Sequence, residues 1–159
     1  MLNDAQKSEA KSAIQQIEEL LKSGELQNNG EHAKSIFKDA VIALNDLLMK
    51  CSLYLQDRVD FTDDVTIDSQ NQISDVTELV RFFRNGIGHI DGVNRKLDDG
   101  SSSLNIFVGL KLKLQLADND IELKYHDDTA YNMGKHVMYL KRHFIRAFEE
   151  AKTKLKPYL

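Results

Sequence analysis

Leu104-Asn105-Ile106-Phe107-Val108-Gly109-Leu110-Lys111-Leu112-Lys113-Leu114-Gln115-Leu116 is the stretch at which the chain changes its period. Seven apolar residues, Leu104, Ile106, Val108, Leu110, Leu112, Leu114 and Leu116, alternate with Asn, Phe, Gly, Lys, Lys and Gln. That two-residue spacing puts one apolar face on a β-strand. The run is long for one strand, so a bend is expected at Gly109. Ala117-Asp118-Asn119-Asp120 reads as a turn, and Ile121, Leu123 and Tyr125 as the return strand of a hairpin. A hairpin alone is marginal in water, so its apolar face needs helices or a second copy to pack on.

Outward from this stretch the period is 3.6. A first helix is expected over 3–22, on Leu2, Ala13, Ile14, Ile17, Leu20 and Leu21, with Gly24 as its stop. A second runs from about Glu31 to Leu55, with a wide stripe of Phe37, Ala40, Val41, Leu44, Leu47, Leu48, Cys51 and Leu55. Residues 56–73 are polar and acidic and read as a solvated connection. They lack the glycine and late glutamate of a calcium loop. Ser74 is the expected N-cap of a third helix carrying Val76, Leu79, Val80, Phe83 and Ile87. Gly86 and Gly88 weaken that helix, which either ends near Asn85 or runs on through them. Residues 91–103 read as a loop. Thr129 to Leu155 is expected to form the last helix, on Met133, Val137, Leu140, Phe144, Ala147, Phe148 and Ala151, closed by Pro157. The fold class expected is mainly α: a four-helix up-and-down bundle, residues 1–159 as a single domain, with a β-hairpin inserted at about 104–125 before the last helix.

The composition restricts the function classes. A chain of 159 residues with 42% apolar residues supports one real core. The single Cys51 rules out a disulfide framework within the chain and fits a reducing compartment. The polar N-terminus is not a signal peptide, and no apolar run approaches the ~20 residues that span a bilayer, so a cytoplasmic protein is expected. The net charge is −4, but residues 131–159 hold seven Lys/Arg against two acids, leaving the rest at −9. This balance fits either a solvated helix face or a local basic wall that attracts an anion.

The chemistry concentrates at Arg81-Phe82-Phe83-Arg84-Asn85-Gly86-Ile87-Gly88-His89-Ile90-Asp91. Phe82, Phe83 and Ile87 can anchor it in a core, leaving Arg84, Asn85 and His89 as polar groups of defined geometry. On an unbroken helix, Arg84 and His89 stand roughly one turn apart, about 7.5 Å in rise. A histidine shuttles protons near neutral pH, and an arginine fork fits phosphate oxygens. The pair suits phosphoryl transfer at a nucleic-acid backbone. A helix-end arginine beside an ordinary loop histidine is the structural alternative.

Arg84-Asn85-Gly86-Ile87-Gly88-His89 resembles the signature of the HEPN superfamily: an arginine, four to six intervening residues of which the first is often polar, and a histidine. The two glycines and the hairpin are unusual for that family. The resemblance implies a homodimer with two motifs facing across one cleft, and a metal-independent endoribonuclease that needs no cofactor. His89 would handle the proton and Arg84 the phosphate. It further implies RNA as substrate and, since many members act in toxin–antitoxin or antiphage systems, a cognate antitoxin protein as partner. Other members have lost activity and serve as binding modules. Substrate-binding residues expected beside the motif are Asn85, Arg81, Tyr139 and Arg142. Tyr139 and Arg142 share a strip of the expected last helix with His136, His143 and Arg146. Two histidines without a third ligand do not make a metal site. Cys51 is expected in the core, and no phosphate loop or nucleophile elbow is present.

Overall fold

The computed structural model describes residues 1–90 and 103–159, with the side chains of His89 and Ile90 outside the description. Helix α1 (Asp4–Ser23) opens on a reciprocal cap: Asn3 accepts from the Gln6 amide, and the Gln6 side chain accepts from the Asn3 amide. Gly24 ends it in the left-handed region. Helix α2 (Ala33–Lys50) continues as a π-helical turn over Cys51–Leu55. It is the central element. Phe37, Ala40, Val41, Leu44, Leu47, Leu48 and Cys51 are buried among α1, α3 and α4.

Helix α3 (Val76–Ile90) runs unbroken through Gly86 and Gly88. Asp75 rather than Ser74 caps it, accepting from the Glu78 amide at 2.9 Å. Arg58 then clamps Asp75 with both fork nitrogens at 2.9 Å and reaches Glu78 as well. The acidic connection therefore has anchors of its own, including buried Val59, Val65 and Ile73.

The second half of the chain departs from a four-helix up-and-down bundle with one hairpin. Strand β1 (Leu104–Val108) stops at Gly109, where φ is 66° and the amide donates to the Asp128 carbonyl. The expected bend is there, but it separates two sheets. Strands β2 (Leu112–Leu116) and β3 (Asn119–Leu123) form a two-stranded ribbon. Strand β1 instead pairs antiparallel with β4 (Thr129–Met133), which pairs with β5 (His136–Tyr139), giving the order β1-β4-β5. The last helix is correspondingly short. A π-helical stretch, Leu140–Ile145, leads into α4 (Arg146–Leu155).

Two local features explain why 129–139 is sheet. Gly134-Lys135 is a two-residue loop with Met133 opposite His136, and Gly134 has φ 59° at its first central position. That residue and sign suit a hairpin turn whose twist matches the strands. Every residue of β4 is also buried, so the segment is packed on both faces rather than on one stripe. Tyr131 stacks on Phe37 with ring centroids 3.7 Å apart, and its hydroxyl donates to the Leu26 carbonyl. Met133 lies against α3 at Gly86. Residues 129–139, expected as the first part of a last helix over Thr129 to Leu155, form two strands of this sheet instead. No described helix is long and apolar enough to cross a membrane.

The fit between Met133 and Gly86 is a testable constraint. A Cβ on Gly86 would stand 2.2 Å from the Met133 sulfur, whereas one on Gly88 would meet none of the described residues within 4 Å. Alanine in place of a helical glycine is worth about 0.5–1 kcal/mol, and overpacking a core costs about 1–3 kcal/mol. Gly88→Ala should therefore stabilise the protein in urea denaturation, and Gly86→Ala should destabilise it by about 1 kcal/mol. Equal stabilisation by both would show that the close approach is no constraint.

Candidate functional site

Arg81, Arg84 and Asn85 occupy exposed positions on α3, while Phe83 and Ile87 on its other side are buried. The Arg84 guanidinium donates to the Asn85 side-chain oxygen at 3.0 Å. Arg81 stands 3.6 Å from Glu78. Position 89 lies in the same helix, and the His89 side chain, like residues 91–102 of the loop expected at 91–103, falls outside the described residues.

A recess of ≈ 260 Å³ opens beside this face, lined by Asn71, Gln72, Glu78, Arg81, Phe82, Asn85 and Gly86. One wall is α3. The other is the turn at 69–72, which Asp68 builds. Its carboxylate accepts from the Gln70 and Asn71 amides and from the Asn71 side chain at 2.8 Å, and its backbone bridges to Ile73. Lys135 and His136 each reach the same carboxylate at 3.0 Å. Because a carboxylate only accepts, His136 carries its hydrogen on Nε2. Asp68 is 3% exposed, so these donors are what allow it to stay charged in the interior. The Asn71 side chain, followed by Lys135 and His136, holds its pKa far below the ordinary carboxylate range. The His136 ring in turn abuts Phe82, with centroids 4.7 Å apart.

Tyr139 and Arg142 belong to a different neighbourhood. Tyr139 is buried, and its hydroxyl accepts from the Lys124 amide at 3.0 Å. Arg142 pairs with Asp127 and Asp128 and lies 3.5 Å over the Tyr125 ring. Asp128 also accepts from the Lys141 and Arg142 amides, capping the turn that leads into α4. Among the described residues, no hydrogen bond, ion pair or ring contact joins Tyr139 or Arg142 to Arg81, Arg84 or Asn85. The strip expected along one helix face is dissolved, because His136 and Tyr139 are on β5 and His143 is buried. His143 accepts from the Tyr139 amide on Nδ1 and faces the Asp63 carbonyl with Nε2. This pattern requires the neutral imidazole, and burial lowers its pKa.

The chain matches no family model, no curated protein and no solved structure.

The basic wall of the C-terminal segment is answered from within the molecule. Lys154 pairs with Asp57, Arg146 with Asp63, Lys135 with Asp68 and Lys152 with Glu18. Lys141 meets the Asp127 carbonyl. Three of these carboxylates come from the acidic connection at 56–73. Arg58, Arg81, Arg142 and Arg146 all meet carboxylates. Among the described residues, Arg84 is the arginine that meets none. Cys51 is buried with its thiol pushed up to about 11, which keeps it protonated and unreactive.

The recess was not anticipated from the sequence, although Asp68 followed three residues later by Asn71 is a turn signature that marks its outer wall. Asp68 at its outer wall and His143 in the other neighbourhood each carry a prediction. Asp68→Ala should lower the unfolding free energy by about 2–4 kcal/mol, measured in urea, because buried donors lose a charged acceptor. The second concerns acid. The His143 pKa is lower folded than its ordinary value of 6.5, so between the two the unfolded chain binds a proton that the folded one does not. Stability therefore falls as pH drops through about 6.5. The depressed Asp68 contributes stability that is complete above about 4 and is lost as pH falls through its folded value. Thermal melts should show both stages, and His143→Gln should remove only the first.

Proposed function

We propose that the protein binds RNA through the exposed face of α3 and cleaves it without a metal, Arg84 holding the scissile phosphate and His89 moving the proton of the attacking 2′-hydroxyl. The observation that carries this reading is the state of Arg84. Its guanidinium is oriented by Asn85 and is left by every described carboxylate. A planar fork without an internal counter-ion is what a phosphate would occupy. The HEPN resemblance enters through residues 84–89 alone, since the bundle expected with it is not the fold. One arginine and one histidine are few groups for phosphodiester cleavage, which benefits from charge stabilisation at both attacking and leaving oxygens. A homodimer with the two motifs near a two-fold axis would double the set. RNA as substrate and a lone buried thiol fit the cytoplasm, and a nuclease there needs restraint, for which a cognate antitoxin is the proposed partner.

A second reading is a non-catalytic RNA-binding or interaction module. It is favoured by the internal pairing of the C-terminal cations, which leaves little basic surface for a long RNA.

The two readings separate in one set of assays. For a nuclease, the purified protein should cut RNA in EDTA and leave cyclic phosphate ends. Arg84→Ala and His89→Ala should each abolish cutting with unchanged melting temperature. Variants that cut as fast as the parent would sink the assignment. Binding without cutting, weakening as salt rises, would identify the module. Sedimentation is expected at twice the 18.1 kDa chain mass, and a monomer at micromolar concentration would remove the composite site.

A further inference from the structure

The recess beside Arg84 has the chemistry of a base-reading pocket. Three residues with carboxamide side chains line it from both walls: Asn71 and Gln72 from the turn, Asn85 from α3. Their engagements are incomplete in a complementary way. Asn71 donates its amide nitrogen to Asp68, and Asn85 accepts from Arg84 on its oxygen. Among the described residues, the Asn71 side-chain oxygen, the Asn85 side-chain nitrogen and the Gln72 side-chain carboxamide make no hydrogen bond, while the Gln72 backbone amide donates to the Ser69 carbonyl. The recess thus offers an acceptor from Asn71, a donor from Asn85 and both from Gln72.

Its apolar surface is Phe82, a half-buried ring braced by His136 and Phe83. A flat aromatic with amides around it suits an unstacked nucleobase, which has a π-face and an edge of alternating donors and acceptors.

The turn that carries two of the amides is tied by its own hydrogen bonds. Gln72 has φ 59°, a left-handed conformation that a residue with a side chain adopts at a cost. It is held there by the Asp68–Ile73 bridge and the Asp68 carboxylate. Strain held by surrounding structure is common where a side chain must be aimed. Asn85 lines the recess and also orients Arg84, so a phosphate on Arg84 would place its neighbouring nucleoside at the recess mouth.

We propose that the recess between the 69–72 turn and α3 is a nucleobase pocket that takes an unpaired adenine next to the phosphate held by Arg84. Carboxamides pair in two-point fashion with adenine, giving an amide acceptor to its amino group and a donor to a ring nitrogen. Glu78, the recess group best suited to a cytosine or guanine amino edge, is already held by Arg58 and Arg81. This inference rests on the RNA-binding reading above.

The test compares binding of a short oligouridylate with the same oligomer carrying one central adenosine, in EDTA and with 2′-deoxy sugars at the cleavable positions. The parent should prefer the adenosine oligomer roughly tenfold, the size of one good two-point base contact. Gln72→Gly removes the amide and tolerates φ 59°, so it should fold, which a melt checks. It should lose the preference while keeping the affinity for oligouridylate. Arg84→Ala should weaken both oligomers alike. If the parent binds both oligomers equally, or Gln72→Gly keeps the preference, the base pocket is overturned and the RNA-binding reading stands. If the parent binds neither oligomer, that reading and the pocket fall together.

Discussion

Burying a carboxylate obliges the chain to bring charges and donors to it, and Asp68 does this across most of the molecule. Its own turn supplies two backbone amides and Asn71, and the β4–β5 hairpin supplies Lys135 and His136 from the far end of the sequence. The desolvation of the ion is what makes the meeting obligatory. Once it is made, the acidic connection is fastened to the sheet, and the His136 ring is set against Phe82 of α3. Connection, hairpin and motif helix are thereby held in one arrangement. The recess beside Arg84 is the space left between the turn of that connection and α3.

The same economy governs the rest of the charge. Individual surface pairs such as Arg146–Asp63 or Lys152–Glu18 contribute little stability on their own. Their larger effect is on the field. An acidic connection laid along a basic C-terminal segment cancels much of the potential either would project alone. What is left is local. Arg84, oriented by Asn85 but met by no described carboxylate, stands out against a surface whose other described arginines are compensated. A site of this kind reads one phosphate and its neighbours, and does not coat a long polyanion.

The rigidity of α3 is part of the same design. Gly86 weakens the helix as an isolated element, yet the absence of a side chain there is what lets Met133 of β4 pack against it. The glycine exchanges local propensity for tertiary contact, and the helix runs on to Ile90. Arg84 and position 89 are thus borne on one continuous helix, with the sheet fixed behind them.

Local order was legible in the sequence. The stripes of α1 and α2, the Gly24 stop, the core positions Phe83 and Ile87, the bend at Gly109 and the β2–β3 ribbon each depend on residues within a few positions of one another, where periodicity and turn chemistry act directly. The candidate residues Arg84 and Asn85 were legible for the same reason, as polar groups on a helix with an apolar back. The segment 129–139 was not. Met133, Val137 and Leu140 fit a 3.6-residue stripe as well as they fit two strands, and β4 is buried on both faces, so it shows no alternation to betray a strand. Only pairing with β1, more than twenty residues away, and packing of Tyr131 on Phe37 and Met133 on Gly86 decide between them. Tertiary structure alone also decided which charges are free, because Asp57, Asp63 and Asp68 meet Lys154, Arg146 and Lys135 across long separations that no local pattern encodes.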